Sequence, residues 1–160
     1  MDLSALVAMV EGLGYLGAFI AGFLGTSSLF IAVFPSFLVV PILGACLNPV
    51  LVGVLAGIGS GIGQFLHYYL GYAGRYAASE ELKMKLEGWR KRIDRYGTAL
   101  IFAFAATPLS PDDVVWIPLG LMRYPKAKAL ASAVAGKIVL NLLYAFVGCY
   151  GLTYLLKFLG

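Results

Sequence analysis

The chain has 160 residues, is 61% hydrophobic, carries a formal net charge of +4 and has a mean hydropathy of +0.87, which places it outside the range of ordinary soluble domains. Its basic excess gathers mostly in residues 75–95 and 123–128, with isolated charges at Asp2, Glu11, Asp112, Asp113, Lys137 and Lys157. Clusters of this kind beside apolar segments report topology, and no basic patch with interleaved aromatics argues for nucleic acid as a partner.

Catalytic signatures are equally sparse. There is no nucleophile motif, phosphate loop or HExxH run, and one histidine, His67, completes no triad, so the chain is expected not to be an enzyme. Cys46 and Cys149 lie far apart without a CxxC partner or clustered histidine, so no metal or other cofactor is expected and both are read as packed thiols.

In chain order, Met1-Asp2-Leu3-Ser4 lacks the basic n-region of a signal peptide and is read as mature. From Gly12 to Gly74 there is no Asp, Glu, Lys or Arg. An apolar helix needs about 20 residues to cross the hydrocarbon, so the stretch could hold two or three passes. Interruptions fall at residues 25–28, at Pro35 to Pro41 and at Asn48-Pro49. Broken helices at membrane depth persist only where the freed backbone is buried in protein or lines a wet cavity, so function is expected at the breaks. Residues 2–30 fit either a surface helix plus a hairpin arm or a full span.

A long helix is predicted over residues 49–74, with Gly53, Gly57 and Gly61 forming a face for close helix packing. Residues 77–95 place Leu82, Leu86, Trp89 and Ile93 at helical spacing among Lys and Arg, an amphipathic surface helix whose charges form a solvated face and a headgroup anchor. The arm at 97–107 and the piece at 112–122 are each about 11 residues, roughly half the hydrocarbon thickness at 1.5 Å per residue. They are read as a re-entrant hairpin with its tip at residues 107–111. A second long helix is predicted over 129–156.

The chain repeats itself. Residues 64–74 match 141–151 in character and in glycine spacing; Gly59 falls on Gly136, Pro41 to Gly44 resembles Pro118 to Gly120, and Pro35 resembles Pro111. Basic segments flank the second hairpin, whereas the matching turn at residues 46–49 carries no charge, so the halves are expected to be inverted, a transporter pattern. The expected fold is therefore an all-α integral membrane domain, an inverted repeat of two re-entrant helical hairpins each followed by a long transmembrane helix. It forms one domain over 1–160, with repeats at 14–75 and 96–156 and a cytoplasmic amphipathic linker at 76–95. The hairpin breaks are assigned to Pro35, Pro41, Pro108, Pro111 and Pro118.

Asp112, Asp113 and Lys137 are the charges placed at depth, where a charge costs at least about 2.5 to 3.5 kcal/mol. Ser110-Pro111-Asp112-Asp113 also fits a capping box, so Asp113 is either a cap or a functional carboxylate. An Asp112 to Lys137 ion pair is expected, acting as a clasp or as a protonation switch. Ser36 and Ser110 are read as lining a polar path, Gln64 and Asn141 either line it or bond across helices, and His67 is either packed or a proton relay.

These residues resemble the DedA/VTT membrane proteins, also called SNARE-associated Golgi proteins. Residues 34–44, Phe-Pro-Ser-Phe-Leu-Val-Val-Pro-Ile-Leu-Gly, are similar to that family's Pro-Ser-Glu-x-x-x-Pro-x-x-Gly hairpin. The Gly-rich helix ending Tyr68-Tyr69-Leu70-Gly71-Tyr72-Ala73-Gly74-Arg75 resembles its Tyr-x-x-Gly-x-x-x-Gly-Arg stretch, and residues 118–123 resemble the turn after its second hairpin. The likeness implies lipid scrambling, polyprenyl-phosphate translocation or proton-coupled transport. Phe37 stands where the family has an acid, Asp112 where it has arginine and Gln64 where it has aspartate. The expected function is movement of a lipid or lipid-linked phosphate across the bilayer, with Arg123, Lys126 and Lys128 collecting headgroups. Alternatives are a proton- or cation-coupled carrier of small solutes, with Asp112 and His67 on the coupling ion, and a non-transporting scaffold. Membrane lipids are the expected partners, a homodimer is expected to cover exposed hairpin backbone, and the expected location is a prokaryotic plasma membrane.

Overall fold

Asn48 and Pro49 set the start of the first long helix: the Asn48 side chain accepts from the backbone N–H of Val50 at 3.0 Å and of Leu51 at 3.3 Å, while Pro49 occupies the first helical position, where no N–H is needed. Replacing Asn48 by alanine should cost about 1 kcal/mol, read as a lower thermal midpoint of the purified protein with activity retained. The computed structural model describes residues 12–27, 36–108 and 113–159. Within them run α1 Gly14–Ser27, α2 Ser36–Cys46, α3 Pro49–Gly74, α4 Glu80–Ala106, α5 Asp113–Leu121 and α6 Lys126–Leu159. The described residues are all helix and connecting turns, with no strand among them.

Glycine decides how these helices meet. Gly53 faces Leu142, Gly57 faces Ile138 and Gly61 faces Val134; each step of four forward on α3 matches a step of four back on α6, so the two long helices are antiparallel and almost in backbone contact. On another face of α3, Gly59 lies on Phe19 and Gly63 on Phe23, so α1 runs parallel to α3. The short helices then cross over between halves. Gly44 of α2 sits on Ala145 of α6 and Gly148 on Pro41, while Gly120 of α5 sits on Tyr68 of α3 and Gly71 on Ile117. Gly71 and Gly148 are the pair matched in the sequence repeat, and each receives the short helix of the other half.

Both long helices are long and apolar enough to cross a membrane, α3 spanning about 39 Å at 1.5 Å per residue. Leu51, Ile62, Leu66 and Leu70 on α3, and Val139, Leu143 and Val147 on α6, are exposed. Inside are two apolar clusters: Ala18, Val39, Leu43, Val52, Ala56 and Ala145 near the start of α3, and Tyr68, Ile101, Trp116, Leu119, Tyr124 and Ala129 near its end. Ser60, Gln64 and His67 of α3, and Lys137 and Asn141 of α6, are buried polar residues that lie between these clusters along their helices.

Several expected boundaries move. Pro41 and Pro118 are inside α2 and α5, so they are not breaks. Each sits at the sixth residue of its helix, where its fixed φ is helical and the cost is one lost i→i−4 hydrogen bond. Residues 77–95 and 97–107, expected as two elements, belong mostly to one helix, α4. Gly97 lies inside this helix, and its missing Cβ admits the ring of Tyr124. The second long helix starts earlier and ends later than its predicted 129–156. Cys46 is exposed and Cys149 half-buried, so the first is not packed. Pro35, Ser110, Pro111 and Asp112 lie outside the described residues, as does the side chain of Asp113.

Candidate functional site

α3 buries Ser60, Gln64 and His67, and α6 buries Ser132, Lys137 and Asn141. Burying a polar group costs unless it is hydrogen-bonded, and the observed contacts show how part of that cost is met. The Asn141 amide donates to the Lys137 carbonyl at 2.8 Å and approaches the Ser60 hydroxyl at 3.4 Å, joining the two antiparallel helices. Thr26, near the end of α1, directs its hydroxyl to the Ser60 carbonyl at 2.8 Å and the Gly22 carbonyl at 3.0 Å. Gly63 makes that approach possible, because any Cβ there would meet Thr26 and Ser27.

A cavity of about 180 Å³ opens on this polar layer. Lys137, Leu140, Asn141 and Tyr144 of α6 form one wall and Ser60 of α3 adjoins them. The rest of the lining comes from Thr26 of α1, Ser36 and Phe37 of α2, and Thr107 just beyond α4. The cavity therefore takes residues from both halves, next to the places where α1 ends, α2 begins and α4 ends. Lys137 is only 6% exposed, and an ammonium in an apolar protein marks a functional site or a pairing. Hydroxyls, an amide and a lysine around a space this size can hold several waters or one small anionic group.

Of the expected site residues, Lys137, Asn141 and Ser36 come together at the cavity. Gln64 and His67 are each 1% exposed on α3 but do not line it, and the Gln64 amide has no hydrogen-bond partner among the described residues. Pro108 is exposed beyond α4. Thr26, Ser60, Thr107 and Tyr144 were not singled out by the sequence reading. Thr26 and Thr107 fell within predicted breaks, Tyr144 lies one turn from Asn141, and Ser60 gave no advance signal beyond its hydroxyl.

Arg123, Lys126 and Lys128 lie elsewhere, at the end of the molecule where α5 meets α6. The Lys126 ammonium stands 4.8 Å from the ring centroids of both Tyr69 and Tyr72, and the Arg123 guanidinium 5.4 Å from that of Tyr72. Arg123 has φ 54° and closes α5 as a Schellman motif, with Tyr124 N–H donating to the Leu119 carbonyl and Arg123 N–H to that of Gly120. The Tyr68 hydroxyl donates to the Tyr124 carbonyl at 2.6 Å and Arg75 to that of Leu121 at 2.5 Å, tying this end to α3. At the nearby start of α4, a hydrogen bond from Lys83 holds the Glu80 carboxyl below its ordinary range.

A family model described as VTT domain matches residues 34–150. The chain belongs to the VTT domain family. Comparisons with curated proteins and with solved structures returned no match. The matched stretch of this VTT domain contains α2 to α5 and most of α6, and with them every residue around the cavity except Thr26. Phe37, at the position where the resemblance leads one to look for an acid, is on the cavity wall.

Proposed function

We propose that this VTT-domain protein is an integral membrane transporter that moves a lipid or lipid-linked phosphate across the bilayer without covalent chemistry. The observation that carries the reading is the cavity with Lys137 on its wall, built on polar residues of the packed α3 and α6 and completed by residues at the ends of α1, α2 and α4. A lipid crossing a bilayer must bring its headgroup through hydrocarbon, and hydroxyls with a cation near the midplane replace part of the water it leaves. The exposed apolar faces of α3 and α6 support placing these helices in contact with lipid.

In this arrangement α1 with α2, and the second half of α4 with α5, form re-entrant hairpins that return to opposite sides, an inverted repeat of the transporter kind. The basic residues from 75 to 95 and 123 to 128 face the cytoplasm by the positive-inside rule, and a prokaryotic plasma membrane suits the chain. Lipid-exposed hairpin backbone is best covered by a second copy, giving a homodimer.

The test is bleaching of fluorescent phospholipid by an impermeant reductant in proteoliposomes without an ion gradient. Loss of the inner-leaflet signal with the protein, but not in empty liposomes, is expected. The same end point in both would remove phospholipid scrambling. A proton-coupled carrier of small solutes is the second reading, favoured by His67 buried among the polar residues of α3, and it predicts solute uptake that collapses with the proton gradient.

A further inference from the structure

Below the cavity, an open groove of about 590 Å³ runs along the seam between α4 and α6. α4 supplies Arg95, Thr98, Ala99 and Phe102, a stripe at i, i+3, i+4 and i+7. Across from it, α6 supplies Ala131, Ser132 and Ala135. The interior is mainly methyl groups and one ring, the Thr98 hydroxyl being engaged with that of Tyr124 at 2.9 Å, and small residues leave the channel open. The charge is at one end. Arg95 is exposed with its guanidinium 5.3 Å from the Tyr96 ring; Lys91 stands one turn before it on α4, and Lys128 one turn before Ser132 on α6. The Ser132 hydroxyl donates to the Lys128 carbonyl at 2.7 Å, so it adds no free proton to the lining.

The two helices advance together, Gly97 lying on Tyr124 and, further along, Gly136 on Phe102 and Ala105. Past Gly136 the same seam reaches Thr107 and Lys137 on the cavity wall. Groove and cavity are therefore successive stretches of one seam, divided by the close contact at Gly136.

We infer that this groove seats one acyl chain of an anionic phospholipid, with Arg95 at its mouth holding the phosphate. Charge complementarity selects the occupant: cations stand at the mouth alone and the wall behind is apolar, which matches an anionic head on a hydrocarbon tail. A free phosphate would gain nothing from the alanine-lined interior. The inference rests on the lipid-transport reading and names a waiting position for its substrate, one seam-length from the cavity.

Native mass spectrometry of the full chain in detergent, titrated with phosphatidylglycerol or phosphatidylcholine of identical acyl chains, tests it. The parent should hold one phosphatidylglycerol about tenfold more tightly than phosphatidylcholine. Arg95→Gln should erase that preference while keeping the shared, weaker binding. Ala135→Phe and Ala131→Phe, both at exposed positions, should lower retention of either lipid about tenfold by filling the groove. Parental phosphatidylglycerol binding in the two phenylalanine variants, or no headgroup preference in the parent, would overturn the assignment. Binding is read without transport, so groove-dependent binding in a protein that fails to scramble would sink the transport reading and leave the groove standing.

Discussion

Lys137→Met should reduce lipid passage in proteoliposomes by tenfold or more while the protein stays folded and monodisperse. Hydrogen bonds to a charged group contribute about 1.5 to 3 kcal/mol, so losing one that forms only as a headgroup enters the cavity corresponds to a rate loss of about 10- to 150-fold. Methionine fills nearly the same volume without the charge, so the variant separates the role of the ammonium from that of the side chain's bulk. Lys137→Arg, which keeps the cation, should retain more activity than Lys137→Met. Parental bleaching rates in the methionine variant would separate this lysine from transport.

Gly148→Val should be the most damaging of the packing changes. A Cβ at Gly148 would enter the backbone of Pro41, and backbone cannot turn aside as a side chain does. Overpacking costs about 1 to 3 kcal/mol where neighbours can adjust, so at least the upper part of that range is expected here, seen as a thermal midpoint lowered by several degrees and poor recovery from detergent. Gly71→Val, against Ile117, should behave alike. Gly151→Ala is the control, since nothing lies within 4 Å of a Cβ there; exchanging glycine for alanine inside a helix should stabilise it by up to about 1 kcal/mol. Equal midpoints for Gly148→Val and Gly151→Ala would refute the glycine-mediated docking of α2 on α6.

The charge-free run to Gly74 and the glycines at 53, 57 and 61 made α3 and its packing face legible, because hydropathy and close approach are both local demands written in residue type. The glycines matched in the sequence, Gly71 and Gly148, each receive a short helix, α5 and α2. Lys137 and Asn141 stood out as polar residues in an apolar helix. Pro41 and Pro118 misled, since proline ends a helix in most interiors but is tolerated where one lost hydrogen bond can be absorbed. The charge boundary near residue 95 misled too: it records a change of surroundings along α4, and a helix backbone continues through such a change. Thr26 and Thr107 were legible only as members of predicted breaks, and Ser60 was invisible because a hydroxyl on an apolar helix says nothing of what it faces until another helix is packed against it.

Passage of lipid through the cavity can be tested within a single protein preparation. In a Cys46→Ser, Cys149→Ser background, Thr107→Cys would be reconstituted and assayed for phospholipid bleaching before and after reaction with a bulky maleimide. Thr107 is exposed and lines the cavity, so the label should occupy the path without disturbing the fold. Loss of most lipid passage on labelling, with no effect of the reagent on the cysteine-free background, is predicted. Complete labelling with an unchanged rate would contradict passage through this cavity.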